Sequence, residues 1–166
     1  MDNLPRIYCD MDGVLCDFKK SAEKVTGISI DSWMLNPDIK SRWKPIIETK
    51  NFWATLPWMP GGQHLWDFIK PYKPHILSAY VEHVHDPNCI PGKRSWAKTH
   101  LSISDNRINL VMRKQKQNFA LYQGQPAILI DDYIKNTSQF QSRGGIGITH
   151  TSTSNTINQL KKLGFK

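Results

Sequence analysis

The chain has 166 residues, enough for one domain with a hydrophobic core and a small insertion. Its 22 Lys and Arg outnumber 14 Asp and Glu, and the formal charge of +8 suits either anionic substrates and nucleic acid or simply a solvated basic surface. We expect no membrane span and no signal peptide, because both need apolar stretches that the sequence lacks. Three scattered cysteines do not form a disulfide framework, so we expect a cytoplasmic protein.

Apolar strand-like runs alternate with amphipathic helical stretches from the start of the chain. Residues 6–9 predict a first strand that ends at Asp10. A helix follows over residues 17–27, because Phe18, Ala22 and Val25 fall on one helical face. Gly27 is predicted to end this helix.

The segment from Ser29 to Met59 interrupts this alternation. It is rich in Trp, Pro and Lys, and we interpret it as a helical insertion that covers the site. The predicted domains are a core over residues 1–17 and 60–166 and a small cap over residues 18–59. We expect most of the cap aromatics to form a small core of their own: Trp33, Trp43, Phe52 and Trp53.

The remaining strands are predicted at residues 75–77, 108–112, 127–130 and 145–150, with a helix before the first of them. A final helix carries Ile157, Leu160 and Leu163, and Ser154 is its predicted N-cap. Uniformly apolar strands separated by helices indicate an α/β fold with a parallel sheet covered on both faces.

Acidic residues follow two of these strands. Asp10 and Asp12 come after the first strand, and Asp131 and Asp132 come after the fourth. Ligands of parallel sheets bind beyond the carboxyl ends of the strands, where these four carboxylates should meet. Adjacent buried acids are costly unless a cation neutralises them, and Mg²⁺ prefers oxygen ligands beside a substrate phosphate. The sequence therefore predicts a Mg²⁺ site.

A hydroxyl and an ammonium group complete the predicted site. Ser78 ends the second strand, where its hydroxyl and the adjacent backbone at Ala79 are placed to bind a phosphoryl oxygen. Lys116 begins a helical stretch after the third strand, and Lys114 is an alternative for the same role. Lys93 is a weaker candidate, since an exposed place in the first turn of a helix explains it equally well.

Taken in order, these motifs resemble those of the haloacid dehalogenase (HAD) superfamily of phosphohydrolases. The four motifs are residues 10–14, Ser78, Lys116 and residues 129–132, and together they span nearly the whole chain. Within the superfamily, the chain is most similar to 5'(3')-deoxyribonucleotidases and their small phage and bacterial relatives. The residues that carry this similarity are 10–18, 50–53 with Leu56, Pro60 and Gly61, Gly92 and Lys93 with Trp96, and 129–132. The chain departs from the nucleotidases at Ser78-Ala79-Tyr80, where they more often have Thr-Ser-Pro, and in its short cap.

The resemblance implies a Rossmann-like HAD core with a role for each motif residue. Asp10 would be the nucleophile that forms an aspartyl phosphate, and Asp12 would be the general acid and base. Mg²⁺ would be held by Asp10, the backbone carbonyl of Asp12 and Asp132, with Asp131 acting mainly through water. Ser78 and Lys116 would stabilise the transferring phosphoryl group. Phe18 would stack on the substrate base.

The leading hypothesis is a 5'-nucleotidase that acts on deoxynucleoside monophosphates. A phosphatase for another small metabolite is an alternative, because the shared motifs recognise only the phosphate. A phosphatase for nucleic-acid ends draws some support from the positive charge but is not favoured, since no nucleic-acid module accompanies it. A catalytically silent binding domain is disfavoured because both Asp10 and Asp12 are present.

Overall fold

A computed structural model describes residues 3–166. Met1 and Asp2 lie outside the described residues. They belong to the predicted core segment and to the N-terminus that was predicted to carry no signal peptide. The main sheet has five strands, which are β1 (Ile7–Cys9), β2 (His75–Ala79), β3 (Ile108–Val111), β6 (Ile128–Asp131) and β7 (Ile146–Thr149). Their order in the sheet is β3-β2-β1-β6-β7, and every adjacent pair is parallel.

Seven α-helices connect or flank these strands in the described chain. They are α1 (Phe18–Thr26), α2 (Ile30–Met34), α3 (Ile39–Ile47), α4 (Gly62–Ile69), α5 (Cys89–Leu101), α6 (Ile134–Ser142) and α7 (Thr153–Lys162). Short 3-10 helices lie at Trp53–Thr55, Lys70–Tyr72, Asp105–Arg107 and Arg113–Phe119. Between residues 3 and 166, no helix is both long and apolar enough to cross a bilayer.

The predicted α/β class with a parallel sheet is confirmed. The central strand β1 and its neighbour β6 are buried along their whole length, in agreement with their apolar sequences. Because all five strands run in the same direction, their carboxyl ends meet at one edge. This edge receives the residues that follow β1, β2 and β6.

Helices α1 to α3 and the turn at 53–55 occupy the stretch predicted as an insertion. Their aromatic rings pack together: Phe18, Trp33, Trp43, Phe52 and Trp53. All of them except Phe18 are buried. They belong to the same hydrophobic core as the strands of the main sheet, so the expectation of a small core of their own is wrong.

Two details differ from the sequence predictions. The N-cap of α7 is Ser152, whose hydroxyl accepts a hydrogen bond from the amide of Asn155, so the assignment to Ser154 is wrong. A hairpin of two short antiparallel strands, β4 (Leu121–Tyr122) and β5 (Gln125–Pro126), was not predicted. Its strands are too short to show any alternation of apolar and polar residues.

Candidate active site

The pairing of β1 with β6 brings the two acidic motifs together. Cys9 is in register with Ile130, and the amide of Asp10 donates to the carbonyl of Ile130 at 2.9 Å. Asp131 is the last residue of β6, so it lies beside Asp10 at the carboxyl edge. Asp10, Asp131 and Asp132 each offer a carboxylate oxygen, and these three oxygens lie within 4.8 Å of one another.

Gly13 makes room for this cluster. The chain turns there with a φ of +82°, in the left-handed region that side chains rarely adopt. A Cβ atom at this position would overlap the Asp132 carboxylate. The glycine of the first motif therefore allows the carboxylate of the last motif to approach the backbone.

The two adjacent aspartates at the end of β6 have different surroundings. Asp131 is fully buried, and its carboxylate accepts from Lys116 Nζ at 2.7 Å, Asn136 Nδ2 at 3.0 Å and the amide of Tyr133 at 2.9 Å. Asp132 is exposed. Although the residue as a whole is exposed, its carboxylate group is partly shielded from water within this cluster, and this burial together with the charges of Asp10 and Asp131 raises the pKa of Asp132 to about 7. Burial and the charge of Asp10 likewise raise the pKa of Asp131 to about 6.

Lys116 lies between the two acidic motifs. It is buried, and its Nζ is 3.2 Å from Asp10 Oδ1 and 2.7 Å from Asp131 Oδ2. Although burial lowers its pKa, the Asp10 and Asp131 carboxylates outweigh burial, and the pKa of Lys116 is raised. Lys114 is exposed. The 3-10 helix at Arg113–Phe119 thus turns Lys116, rather than Lys114, toward Asp10.

Lys93, predicted only as a weaker candidate, lies among the other candidate site residues. The alternative of an exposed first-turn position is wrong, because Lys93 is only 1% exposed. Its Nζ is 2.8 Å from Asp12 Oδ2, 2.9 Å from Ser78 Oγ and 2.6 Å from the carbonyl oxygen of Ala79. A signal was present in the sequence: Cys89, Lys93, Trp96 and Ala97 share one helical face, and all four are buried.

Lys93 connects the first motif to the end of β2. Ser78 is fully buried, and its hydroxyl oxygen accepts from Lys93, which leaves the hydroxyl hydrogen free to donate to a ligand. The other oxygen of Asp12, Oδ1, is buried without a hydrogen-bond partner among the described residues. Burial raises the pKa of Asp12, and the Lys93 ammonium opposes that effect.

Phe18 lies at the border of the site and the aromatic cluster. It is partly exposed, and one of its faces stacks on Trp53, with ring centroids 5.2 Å apart and an interplanar angle of 15°. The Trp53 ring also lies 5.3 Å from Lys93 Nζ. Phe18 is therefore linked to Lys93 through Trp53, and part of its ring surface is used in packing.

The residues present fit a hard divalent cation. Four carboxyl groups (Asp10, Asp12, Asp131 and Asp132) lie near two ammonium groups (Lys93 and Lys116), so full ionisation of the carboxyl groups would leave two negative charges in excess. The raised pKa values of Asp131 and Asp132 agree with such an excess. The donors nearest one another are carboxylate oxygens, the ligand type that Mg²⁺ prefers. A bound Mg²⁺ would neutralise that charge.

Comparison with known proteins gives similarity in structure alone. No family model and no curated protein matches the sequence. A hydrolase from Streptococcus pneumoniae TIGR4 aligns with a TM-score of 0.54 at 13% identity, over 96% of this chain and 100% of its own. L-2-haloacid dehalogenase from Xanthobacter autotrophicus aligns with a TM-score of 0.55 at 9% identity, over 96% and 83%. A HAD-superfamily hydrolase from Ehrlichia chaffeensis aligns with a TM-score of 0.50 at 12% identity, over 98% and 99%.

These similarities show that the chain has the fold of the HAD-like hydrolases. The predicted Rossmann-like HAD core is thus confirmed at the level of the fold. Since the aligned structures include a dehalogenase, the fold by itself leaves the reaction and the substrate to be argued from the site.

Proposed function

We propose that this protein is a Mg²⁺-dependent phosphomonoesterase that works through an aspartyl phosphate on Asp10. The observation that carries the proposal is the convergence of four carboxylates, two lysines and a buried serine at one edge of the sheet. A nucleophilic carboxylate, an acid and base, and donors for a phosphoryl group are the parts this reaction needs.

In the proposed first step, an Asp10 carboxylate oxygen attacks phosphorus and the bond from phosphorus to the ester oxygen breaks. Asp12 donates its proton to the departing alkoxide, so an alcohol leaves and Asp10 carries the phosphoryl group. In the second step, water attacks the same phosphorus while Asp12 takes up a proton from that water. Inorganic phosphate leaves and the Asp10 carboxylate is restored.

Ser78 and Lys116 have the hydrogen-bonding capacity that the phosphoryl oxygens require. The hydroxyl of Ser78 keeps its hydrogen for a ligand, since its oxygen accepts from Lys93. Among the described residues, only Asp10 and Asp131 accept from Lys116, so one of its three N–H groups remains for the substrate. Lys93 has all three N–H groups engaged, which favours Lys116 as the phosphate-binding lysine.

Asp10, Asp132 and the backbone carbonyl of Asp12 would hold the Mg²⁺ ion, and Asp131, whose carboxylate has three hydrogen-bond donors, would act through water. The ion would supply charge stabilisation at the phosphoryl oxygens. The excess negative charge of the site would otherwise repel a phosphate dianion. We therefore expect phosphate release to require Mg²⁺ and to stop when a chelator removes it. Full activity in protein shown by elemental analysis to be free of metal would contradict this.

We further propose that the substrate is a small phosphorylated molecule, specifically a deoxynucleoside 5'-monophosphate. Support comes from the sequence motifs and from Phe18, which is partly exposed beside the site. Polynucleotide ends, which the basic charge would attract, are less favoured because no nucleic-acid motif accompanies the phosphatase motifs.

A product-release screen tests both the proposed phosphatase activity and the proposed nucleotide substrate. The purified protein is incubated with Mg²⁺ and deoxynucleoside 5'- and 3'-monophosphates, sugar phosphates, phosphorylated oligonucleotides and a 2-haloacid. Release of phosphate from deoxynucleoside 5'-monophosphates in preference to the others is the expected result. Preference for a sugar phosphate would reject the nucleotidase while retaining the phosphatase, and release of halide alone would reject both.

A further inference from the structure

We infer that Lys93 is the positioning residue for Asp12, the group proposed above as general acid and base. The inference rests on the proposed phosphatase reaction and adds a residue to it. Lys93 would act by fixing the carboxylate and would make no contact with the substrate.

The contacts of Asp12 carry the first part of the inference. Within residues 3–166, Lys93 Nζ is the only group that hydrogen-bonds or pairs with the Asp12 carboxylate, at 2.8 Å from Oδ2. The other oxygen, Oδ1, is buried and has no partner there. Without Lys93, the carboxylate would have no polar contact to hold its orientation.

The contacts of Lys93 itself carry the second part. An ammonium group has three N–H donors, and those of Lys93 point to Asp12 Oδ2, Ser78 Oγ and the carbonyl oxygen of Ala79. The last two acceptors belong to β2, so a strand of the central sheet anchors the ammonium. No N–H group is left for a substrate phosphate, and positioning is therefore the role that remains.

Packing around α5 explains how a lysine can be held there. Gly92 lies against the Trp53 side chain, where a Cβ atom would be 2.5 Å from Trp53 Cβ, so the helix approaches the turn at 53–55 closely. The Trp53 ring lies 5.3 Å from Lys93 Nζ and its Nε1 donates to Asp86 Oδ2 at 2.7 Å. These contacts fix the Trp53 ring beside the buried Lys93 ammonium.

A comparison of two leaving groups tests the inference. An alkyl monophosphate, such as a deoxynucleoside 5'-monophosphate or β-glycerophosphate, needs its leaving oxygen protonated, whereas p-nitrophenolate leaves without protonation. In Lys93→Met, we expect kcat for the alkyl ester to fall about 100-fold to 1000-fold, with KM changed less than about threefold. The pre-steady-state burst of p-nitrophenolate should keep its rate within about threefold, followed by a slower steady state, because Asp12 also serves the second step.

Matched variants separate positioning from general damage. Lys98→Met removes an exposed lysine from the same helix and should behave as wild type. Lys93→Gln keeps two N–H donors and should recover part of the lost rate. It also provides the same leaving-group comparison if Lys93→Met does not fold.

A double-mutant cycle with Asp12→Asn gives the decisive readout. If Lys93 acts through Asp12, then adding Lys93→Met to Asp12→Asn should lower the alkyl-ester rate by less than about threefold further. Fully additive losses, equal losses of the first step on both esters, or a raised KM with unchanged kcat would overturn the inference. A wild-type protein that releases phosphate from neither ester would instead reject the proposed function itself.

Discussion

Asp131 and Asp132, adjacent at the end of β6, have different surroundings and therefore different expected roles. Asp131 is enclosed by three donors, whereas Asp132 is exposed and lies against Gly13. The first residue therefore holds the site together, and the second has a carboxylate available for a cation. This difference leads to opposite expectations for the two alanine substitutions.

We predict that Asp132→Ala weakens Mg²⁺ binding more than Asp131→Ala, and that Asp131→Ala destabilises the fold more. Loss of Asp131 leaves Lys116 and Asn136 without their shared acceptor. Because Asp10 still pairs with Lys116, the cost should lie at the lower end of the about 3–5 kcal/mol for breaking a buried pair. Calorimetric titration with Mg²⁺ measures the first effect, and urea unfolding of the metal-free proteins measures the second. The reverse order in the titration would exchange the two roles.

Asp10→Asn is predicted to abolish turnover while the fold persists. The amide has the shape of the carboxylate but is not a nucleophile, so no phosphoryl-enzyme can form. Phosphate release from the purified variant measures the loss, and circular dichroism checks the fold. Release at a rate near that of wild type would exclude the covalent route through Asp10.

At the level of elements, the aromatic cluster of the insertion packs against the border of the site. Phe18 begins α1 and is the member of this cluster that stays partly exposed. Its stack on Trp53 uses one face of the ring. Any contribution to selectivity must therefore come from the remaining ring surface.

For a nucleotide substrate, we predict that Phe18→Ala lowers kcat/KM about tenfold to hundredfold, since stacking on a base contributes roughly 1–3 kcal/mol. p-Nitrophenyl phosphate, which has no nucleobase, should lose much less. Both substrates are measured on the same variant, which controls for damage to the packing with Trp53. An equal loss on both would mean that Phe18 only packs.

The elements differ in how far the sequence could predict them. Strands β1 and β6 were predictable because each is a continuous apolar run, followed by Asp10 in β1 and ending in Asp131 in β6. The burial of Lys93 was not, because it depends on the approach of α5 to Trp53, a contact between distant parts of the chain. The cap of α7 was missed because Thr151, Ser152, Thr153 and Ser154 all carry hydroxyls that can cap a helix.

At the level of the whole molecule, stability should depend on pH through a histidine away from the site. His75 begins β2, where its ring packs edge-on against Tyr8 and Asn109 Nδ2 lies 3.4 Å from its Nδ1. Burial, with the charges of Arg6 and Arg107, lowers the pKa of His75 to about 4. The folded state therefore resists protonation at this ring.

We predict that His75 makes the free energy of unfolding fall as the pH is lowered from about 6.5 toward 4, because the unfolded chain there binds a proton that the folded chain excludes at this ring, while the raised pKa values of Asp131 and Asp132 act in the opposite direction. His75→Gln should reduce this fall. Urea unfolding at pH 7 and pH 5 measures the difference, and His64→Gln, at an exposed position, is the control. A pH dependence in His75→Gln as steep as that of wild type would contradict the prediction.

The position of β1 in the sheet has a consequence for synthesis on the ribosome. β1 lies at the centre, but its partner β6, which pairs Ile128 with Ile7, emerges about 120 residues after it. Pairing across so much chain is slow, and the apolar strand stays without that partner until then. Asp10 and Asp131 meet only when β6 docks, so a nascent chain without β6 has no assembled acidic cluster and lacks the proposed Mg²⁺ site.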